Sequence, residues 1–68
     1  MAFRIRWARK SAGLSQEKLA EVVGTSRRHV IRWEQGTRPG AYYRKRLARA
    51  TGQPELLFEA ENGGTDGR

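Results

Sequence analysis

The sequence predicts an all-α protein, a compact bundle of about five short helices. Apolar residues recur three and four positions apart, which is the spacing of one helix face. Glycine and proline divide the chain into short segments, and no segment alternates apolar and polar residues as a strand would. A chain of 68 residues without cysteine predicts one small domain that no disulfide holds together.

The first helix is predicted over Phe3–Ala12, a segment without glycine or proline. Ile5, Ala8 and Ala12 lie on one stripe of this helix, which we expect to face the core. Gly13 ends the helix, because glycine readily adopts the left-handed conformation that often follows a last helical turn.

The second helix is predicted to start after Ser15 and to end at Gly24. A serine in this place accepts a hydrogen bond from a free backbone N–H of the first turn. Leu19, Ala20 and Val23 recur at helical spacing and form the predicted buried face.

The third helix is predicted over Arg27–Gln35, with Ser26 as its N-cap and Gly36 after its end. Val30 and Trp33, three positions apart, give it an apolar face. The segment that follows is rich in proline and glycine and is predicted to be a loop.

A fourth helix is predicted over Ala41–Ala50, where Tyr43 and Leu47 lie one turn apart. A short fifth helix follows over Pro54–Phe58, since proline suits a first helical turn. We therefore expect one domain over residues 1–60. Residues 61–68 are polar and rich in glycine, so they are predicted to form a disordered C-terminal tail.

The net charge of +7 is unevenly distributed. Residues 1–53 hold 13 basic and 3 acidic side chains, whereas residues 54–68 hold 1 and 4. A basic body favours a polyanionic partner, either a nucleic acid or an anionic membrane surface. No membrane partner is expected, because apolar runs such as Leu56–Phe58 are too short to cross a bilayer and the helices lack a wide apolar face.

The reactive side chains argue against an enzyme. One histidine, no cysteine and three carboxylates before residue 54 do not supply the positioned pairs that acid–base catalysis needs. His29 has no second histidine or cysteine to complete a metal site. We therefore expect no catalytic residue, no metal and no cofactor.

The turn at residues 24–26 joins the second and third helices. Two short helices with a glycine-containing turn between them are typical of the helix-turn-helix, whose second helix enters the DNA major groove. Many all-α proteins contain similar helix pairs, so this spacing by itself leaves other functions open.

Arg27 and Arg28 stand in the first turn of the third helix, and Arg32 lies about one turn further on. Cations are unfavourable at this positive end of the helix dipole, which indicates a functional use. Guanidinium groups bind the O6 and N7 edge of guanine and also bind phosphates. A solvated basic face remains the alternative, and His29 is expected either to contact a base or phosphate or to be a solvated surface residue.

The segment from Ile5 to Pro39 resembles the phage repressor and Cro type of helix-turn-helix, also called the XRE family. The matching features are Ile5-Arg6, Arg9, Gly13-Leu14-Ser15-Gln16, Leu19-Ala20, Gly24, Ser26, Val30, Arg32-Trp33-Glu34 and Gly36. The resemblance covers roughly residues 4–58. It implies a phage repressor-like fold and a sequence-specific regulator of transcription that binds double-stranded DNA.

The resemblance also implies roles for individual positions. The residues expected to read base edges are Arg27, Arg28 and Arg32, together with their neighbour His29. The residues expected to contact phosphates are Gln16, Ser26, Gln35 and Arg38. Arg9 and Glu34 match a partly buried ion pair that ties the first helix to the end of the third.

Thr25 stands where the family usually has a buried valine or isoleucine, which predicts a looser turn. Phe3 and Trp7 form an aromatic pair, expected either to pack against Leu57 or Phe58 or to be exposed towards another subunit. The candidate dimer or partner surface consists of Phe3, Trp7, Leu56, Leu57 and Phe58.

The expected partner is a pseudo-palindromic operator, bound by a weak homodimer that forms on DNA. The alternative is a protein-interaction module on the same fold, such as an antitoxin-like or co-regulator partner. The resemblance further implies a cytoplasmic protein at the nucleoid of a bacterial cell, with a phage origin left open. The fourth helix carries a basic run that is either solvated or attracts phosphates without specificity: Arg44, Lys45, Arg46 and Arg49.

Overall fold

The computed structural model describes residues 2–59, in which all regular structure is helical. The elements are α1 (Ala2–Ser11), α2 (Gln16–Val23), α3 (Arg27–Glu34), α4 (Ala41–Thr51) and a 3-10 helix (Glu55–Phe58). The prediction of an all-α fold is confirmed. The fifth helix was predicted to begin at Pro54, but it is a single 3-10 turn that follows Pro54. The predicted disordered tail lies outside the described residues.

Every element contributes to one core. The buried hydrophobic residues are Ile5, Ala8, Leu19, Ala20, Val23, Val30, Trp33, Leu47 and Phe58. The predicted α1 stripe is correct at Ile5 and Ala8 but wrong at Ala12, which is exposed because α1 ends before it. No helix within residues 2–59 is long and apolar enough to cross a membrane.

Local hydrogen bonds set the two ends of α2. The Ser15 hydroxyl accepts a hydrogen bond from the Lys18 backbone N–H at 3.0 Å. Gly24 has a φ of 87°, in the left-handed region, and its N–H donates to the Ala20 carbonyl at 2.9 Å. Ser15 therefore starts α2, and Gly24 ends it after eight residues and turns the chain towards α3.

The start of α3 differs from the prediction. Ser26 occupies the N-cap position, but its side chain makes no capping hydrogen bond. Its carbonyl instead accepts the N–H of His29 at 3.0 Å, so the amide that the hydroxyl would cap already has a partner. The predicted side-chain cap at Ser26 is therefore wrong, although α3 begins where expected.

Two arginines of α4 hold the loops around the helix-turn-helix. Arg46 Nε donates to the Val23 carbonyl at 2.7 Å, at the C-terminus of α2. Arg44 Nη1 donates to the carbonyl of Pro39 at 3.1 Å. The contact of Arg46 places a cation at a helix C-terminus, which is favourable, and Arg44 binds a loop carbonyl. These two arginines of the basic run therefore have structural contacts and are not simply solvated.

Candidate nucleic-acid interface

The third helix, α3, has one buried and one exposed side. Val30, Trp33 and Glu34 are buried against the other helices. The exposed surface of the helix carries three arginines, here called the reading face: Arg27, Arg28 and Arg32. Within residues 2–59, no ion pair joins these guanidinium groups to a carboxylate. The reading face is therefore free to bind an external anion.

The three arginines of the reading face do not form a single row along α3. Arg28 and Arg32 are four positions apart, so they form a row along the helix. Arg27 and Arg32 are five positions apart, which separates them by about 140° around the helix axis. Arg27 therefore flanks the row and points towards a different part of any surface that the helix meets.

His29 is exposed, yet two neighbours hold its ring. Thr25 Oγ1 and His29 Nδ1 are 2.5 Å apart, in a hydrogen bond between the turn and the first turn of α3. The imidazole lies nearly parallel to the Trp33 ring, with centroids 6.3 Å apart and planes 16° apart. Sequence reasoning missed this arrangement, although the four-residue spacing of Thr25 and His29 was a usable signal.

Thr25 makes two hydrogen bonds in the turn. Its backbone N–H donates to the Ala20 carbonyl at 2.9 Å, and its side chain is half-buried. The hydroxyl bonds to the imidazole of His29. Threonine therefore links the turn to α3 through a polar contact where the family usually has an apolar one.

The carboxylate of Glu34 joins α1, α2 and α3. Arg9 Nε donates to Glu34 Oε2 at 2.6 Å, and Gln16 Nε2 donates to Glu34 Oε1 at 3.1 Å. The ion pair expected from the resemblance is thus present. Gln16, at the start of α2, is braced against the end of α3, which fixes the relative position of the two helices.

Arg6 is a further cation at this junction that sequence reasoning did not select. Its Nε lies 3.8 Å from Glu34 Oε1, and 57% of its side chain is exposed. Burial alone would raise the pKa of Glu34. The hydrogen bonds from Arg9 and Gln16 and the charges of Arg9 and Arg6 outweigh burial, so the pKa lies below its ordinary value of 4.5.

The comparison with known families agrees with this geometry. The family described as "Helix-turn-helix" matches residues 5–58, which include all the helices from α2 to the 3-10 turn. This chain belongs to the XRE-type helix-turn-helix family.

A curated relative shows the same family membership. An "Uncharacterized HTH-type transcriptional regulator" of Methanothermobacter thermautotrophicus is 43% identical over 53 residues, which are 76% of this chain and 77% of the relative. No solved structure matches the chain.

The predicted phosphate contacts of this helix-turn-helix domain lie around α2 and α3. Gln16 is half-buried at the start of α2, whereas Ser26, Gln35 and Arg38 are exposed. The side chains of these three exposed residues make no hydrogen bond within residues 2–59. Their contact with phosphate remains a prediction.

The helix-turn-helix domain also exposes an apolar surface, formed by α1 and the 3-10 helix. Phe3 is 77% exposed and Trp7 is 47% exposed, so the aromatic pair lies outside the core. Together with Arg4 and the half-buried Leu57 they line a depression, here called the aromatic groove. Phe58 is fully buried, so its place in the predicted partner surface was wrong.

Proposed function

We propose that this chain is a sequence-specific regulator of transcription that binds double-stranded DNA in the cytoplasm and is not an enzyme. The observation that carries the proposal is the reading face: three exposed arginines without carboxylate partners in the described chain, on a helix anchored by buried residues. Helix α3 lies in the major groove, as the second helix of this motif does. Membership of the helix-turn-helix family and the name of the relative support the same function.

The proposed contacts divide into two kinds. Arg27, Arg28 and Arg32 contact base edges, where a guanidinium pairs well with guanine O6 and N7. The phosphate contacts that set the register of α3 are Gln16, Ser26, Gln35 and Arg38. Gln16 suits this role because Glu34 already holds its amide in a fixed position.

One reading helix covers only a few base pairs, so we propose that two copies bind a pseudo-palindromic operator. The centres of the half-sites then lie about 34 Å apart. Phe3, Trp7 and Leu56 are exposed and apolar, and they supply the surface for a weak homodimer that forms on DNA.

Selection of bound duplexes from a random pool tests the function. We expect enrichment of one motif that contains two related half-sites in inverted orientation. A pool that shows no enrichment after repeated rounds would overturn sequence-specific DNA binding. Enrichment of a single half-site would support DNA binding and overturn the dimer.

The exposed aromatic groove favours a second candidate function, a protein-interaction module of the antitoxin-like or co-regulator kind. The two candidates make opposite predictions in a cellular reporter assay. DNA reading requires that the double variant Arg27→Glu, Arg28→Glu loses the effect while Trp7→Ala retains part of it. The reverse pattern would favour the interaction module.

A further inference from the structure

We infer that Thr25 is a positioning residue: it holds the His29 imidazole so that Nε2 presents an N–H to a hydrogen-bond acceptor of bound DNA. This inference rests on the proposed DNA-binding function and deepens it. It assigns the role of hydrogen-bond donor to one side chain of the DNA-binding surface. Thr25 itself does not contact the DNA.

The ring of His29 is held at its edge and at its face. Its Nδ1 edge bonds to the hydroxyl of Thr25, at 2.5 Å. Its face lies beside Trp33, which is only 4% exposed and is itself packed against Tyr43, with ring centroids 5.3 Å apart. The imidazole is thus oriented by the half-buried Thr25 and the buried Trp33, although it is itself exposed to solvent.

The place of His29 on α3 brings it to the margin of the reading face. It follows Arg28 directly and lies three positions before Arg32, so it neighbours the arginine row along the helix. An acceptor that reaches Arg32 is therefore close to the exposed edge of the imidazole. Within residues 2–59, Nε2 has no hydrogen-bond partner.

The direction of the hydrogen bond to Thr25 decides which nitrogen of a neutral His29 ring carries the proton. The 2.5 Å distance between Thr25 Oγ1 and Nδ1 fits donation in either direction, and we take the hydroxyl as the donor. A neutral ring that accepts at Nδ1 carries its own proton on Nε2, and a protonated ring also has an N–H there. In both states Nε2 is a donor.

A donor at Nε2 selects acceptors on the duplex. Phosphate oxygens, guanine O6 and N7, adenine N7 and thymine O4 all accept such a hydrogen bond. The amino group of cytosine in the major groove is a donor and does not. We therefore expect either a phosphate or one of these base atoms opposite His29.

The side-chain nitrogen spectrum of the free protein tests the first step. Because the chain contains one histidine, its NMR signals belong to His29 without further assignment. We expect a proton on Nε2 in the wild type and in Thr25→Ser, and a mixture of tautomers in Thr25→Val. A proton on Nδ1 in the neutral wild type, or an unchanged spectrum in Thr25→Val, would overturn the inference.

DNA affinity on the selected duplex tests the second step. We expect a loss of about tenfold for His29→Ala and of about threefold to tenfold for Thr25→Val, with Thr25→Ser close to wild type. Adding Thr25→Val to His29→Ala should lower the affinity for DNA no further, since both changes remove the same contact. The matched control is Thr51→Val, which removes a hydroxyl that donates to the Leu47 carbonyl at 2.7 Å within α4.

The outcomes distinguish the placement of the His29 ring by Thr25 from the donation of a hydrogen bond by His29 to DNA. A changed base preference at one position identifies a base as the acceptor, whereas a uniform loss on all sequences identifies a phosphate, and both support donation to DNA. Additive losses in the double variant, or unchanged binding by His29→Ala, would overturn it. A chain that shows the Thr25-dependent tautomer but enriches no duplex would overturn the proposed function and leave the placement of the ring standing.

Discussion

Glu34 is the residue on which the arrangement of the helix-turn-helix depends most. Its carboxylate binds Arg9 of α1 and Gln16 of α2 while its own backbone belongs to α3. Glu34 is 6% exposed and Arg9 is 9% exposed, so the pair is shielded from water. Removing one partner leaves the other charge buried without compensation, which is far more destabilising than losing a surface ion pair.

The variant Glu34→Gln should therefore lower the free energy of unfolding at neutral pH by about 3 kcal/mol. The pKa of Glu34 is lowered in the folded state, so its contribution is fully present above the ordinary pKa of 4.5 and is lost as the pH falls through the folded value. The free energy of unfolding, measured with urea at pH values from 7 to 3, should decrease less for the variant than for the wild type. The control is Glu21→Gln, an exposed partner of Lys18, whose effect should stay below about 1 kcal/mol. Parallel pH profiles for wild type and Glu34→Gln would contradict this assignment.

The variant Arg28→Ala should weaken binding to the selected operator by about 1–3 kcal/mol and relax base preference at one position. Folding should be unaffected or slightly improved, because the change removes a cation from the positive end of α3. Titrations of operator and random duplexes, together with thermal melts, separate the two effects. An equal loss on random DNA would make Arg28 a phosphate contact instead.

At the residue scale, the sequence was most informative where a side chain acts through its own helix. The positions of Arg28 and Arg32 away from Val30 and Trp33 predict that they are exposed. Arg27 lies three positions before Val30, so helical spacing alone does not predict its exposure. The ion pair between Arg9 of α1 and Glu34 of α3 was expected only from the family resemblance. The bond between Thr25 and His29 was missed, because it depends on how the turn meets α3.

At the scale of the elements, helix ends were predicted to within one or two residues, because glycine and serine mark them chemically. The sequence could not distinguish Ser15 from Ser26, which occupy equivalent positions before α2 and α3. At Ser15 the hydroxyl accepts a hydrogen bond from the third backbone N–H of the helix. At Ser26 the backbone carbonyl accepts the hydrogen bond from the corresponding N–H, in a tighter first turn.

This difference predicts unequal effects of two identical substitutions. Ser15→Ala should lower the free energy of unfolding by about 1 kcal/mol, because it removes a capping hydrogen bond. Ser26→Ala should change it by less than about 0.5 kcal/mol. Urea unfolding of both variants measures the difference. Equal losses would show that the Ser26 hydroxyl does cap α3 in solution.

The last element shows why an apolar run is ambiguous. Leu56, Leu57 and Phe58 are consecutive, so they cannot all face the core. The 3-10 turn buries Phe58 completely and leaves Leu56 67% exposed. An α-helical turn would place the three side chains at other angles around the helix axis. Packing against α1 and α4 decides between an α-helical turn and a 3-10 turn.

At the scale of the whole molecule, the net charge of +7 overstates the number of cations available to a ligand. Arg9, Arg44 and Arg46 each donate a hydrogen bond to a group of the chain itself. The basic composition indicated a polyanionic partner, but it could not show which arginines hold the fold. That division depends on contacts between helices that are distant in sequence.

The affinity for DNA should fall linearly with the logarithm of the salt concentration, because bound phosphates release counterions. The variant Arg38→Ala should reduce this slope by about 1 for each bound subunit and should leave base preference unchanged. Titrations at several salt concentrations measure both. Binding that does not respond to salt, or an unchanged slope in the variant, would contradict the proposed phosphate contact.

The two sides of α3 have a consequence for how such a regulator changes over time. The side chains that anchor the helix and the arginines proposed to contact the operator are different residues, and these arginines have no carboxylate ion pair in the described chain. We therefore expect that replacing Arg27, Arg28 or Arg32 with another helix-compatible residue changes the free energy of unfolding little. A duplicated copy of this chain can acquire a new set of target promoters through a few codon changes, without first needing a compensating mutation elsewhere.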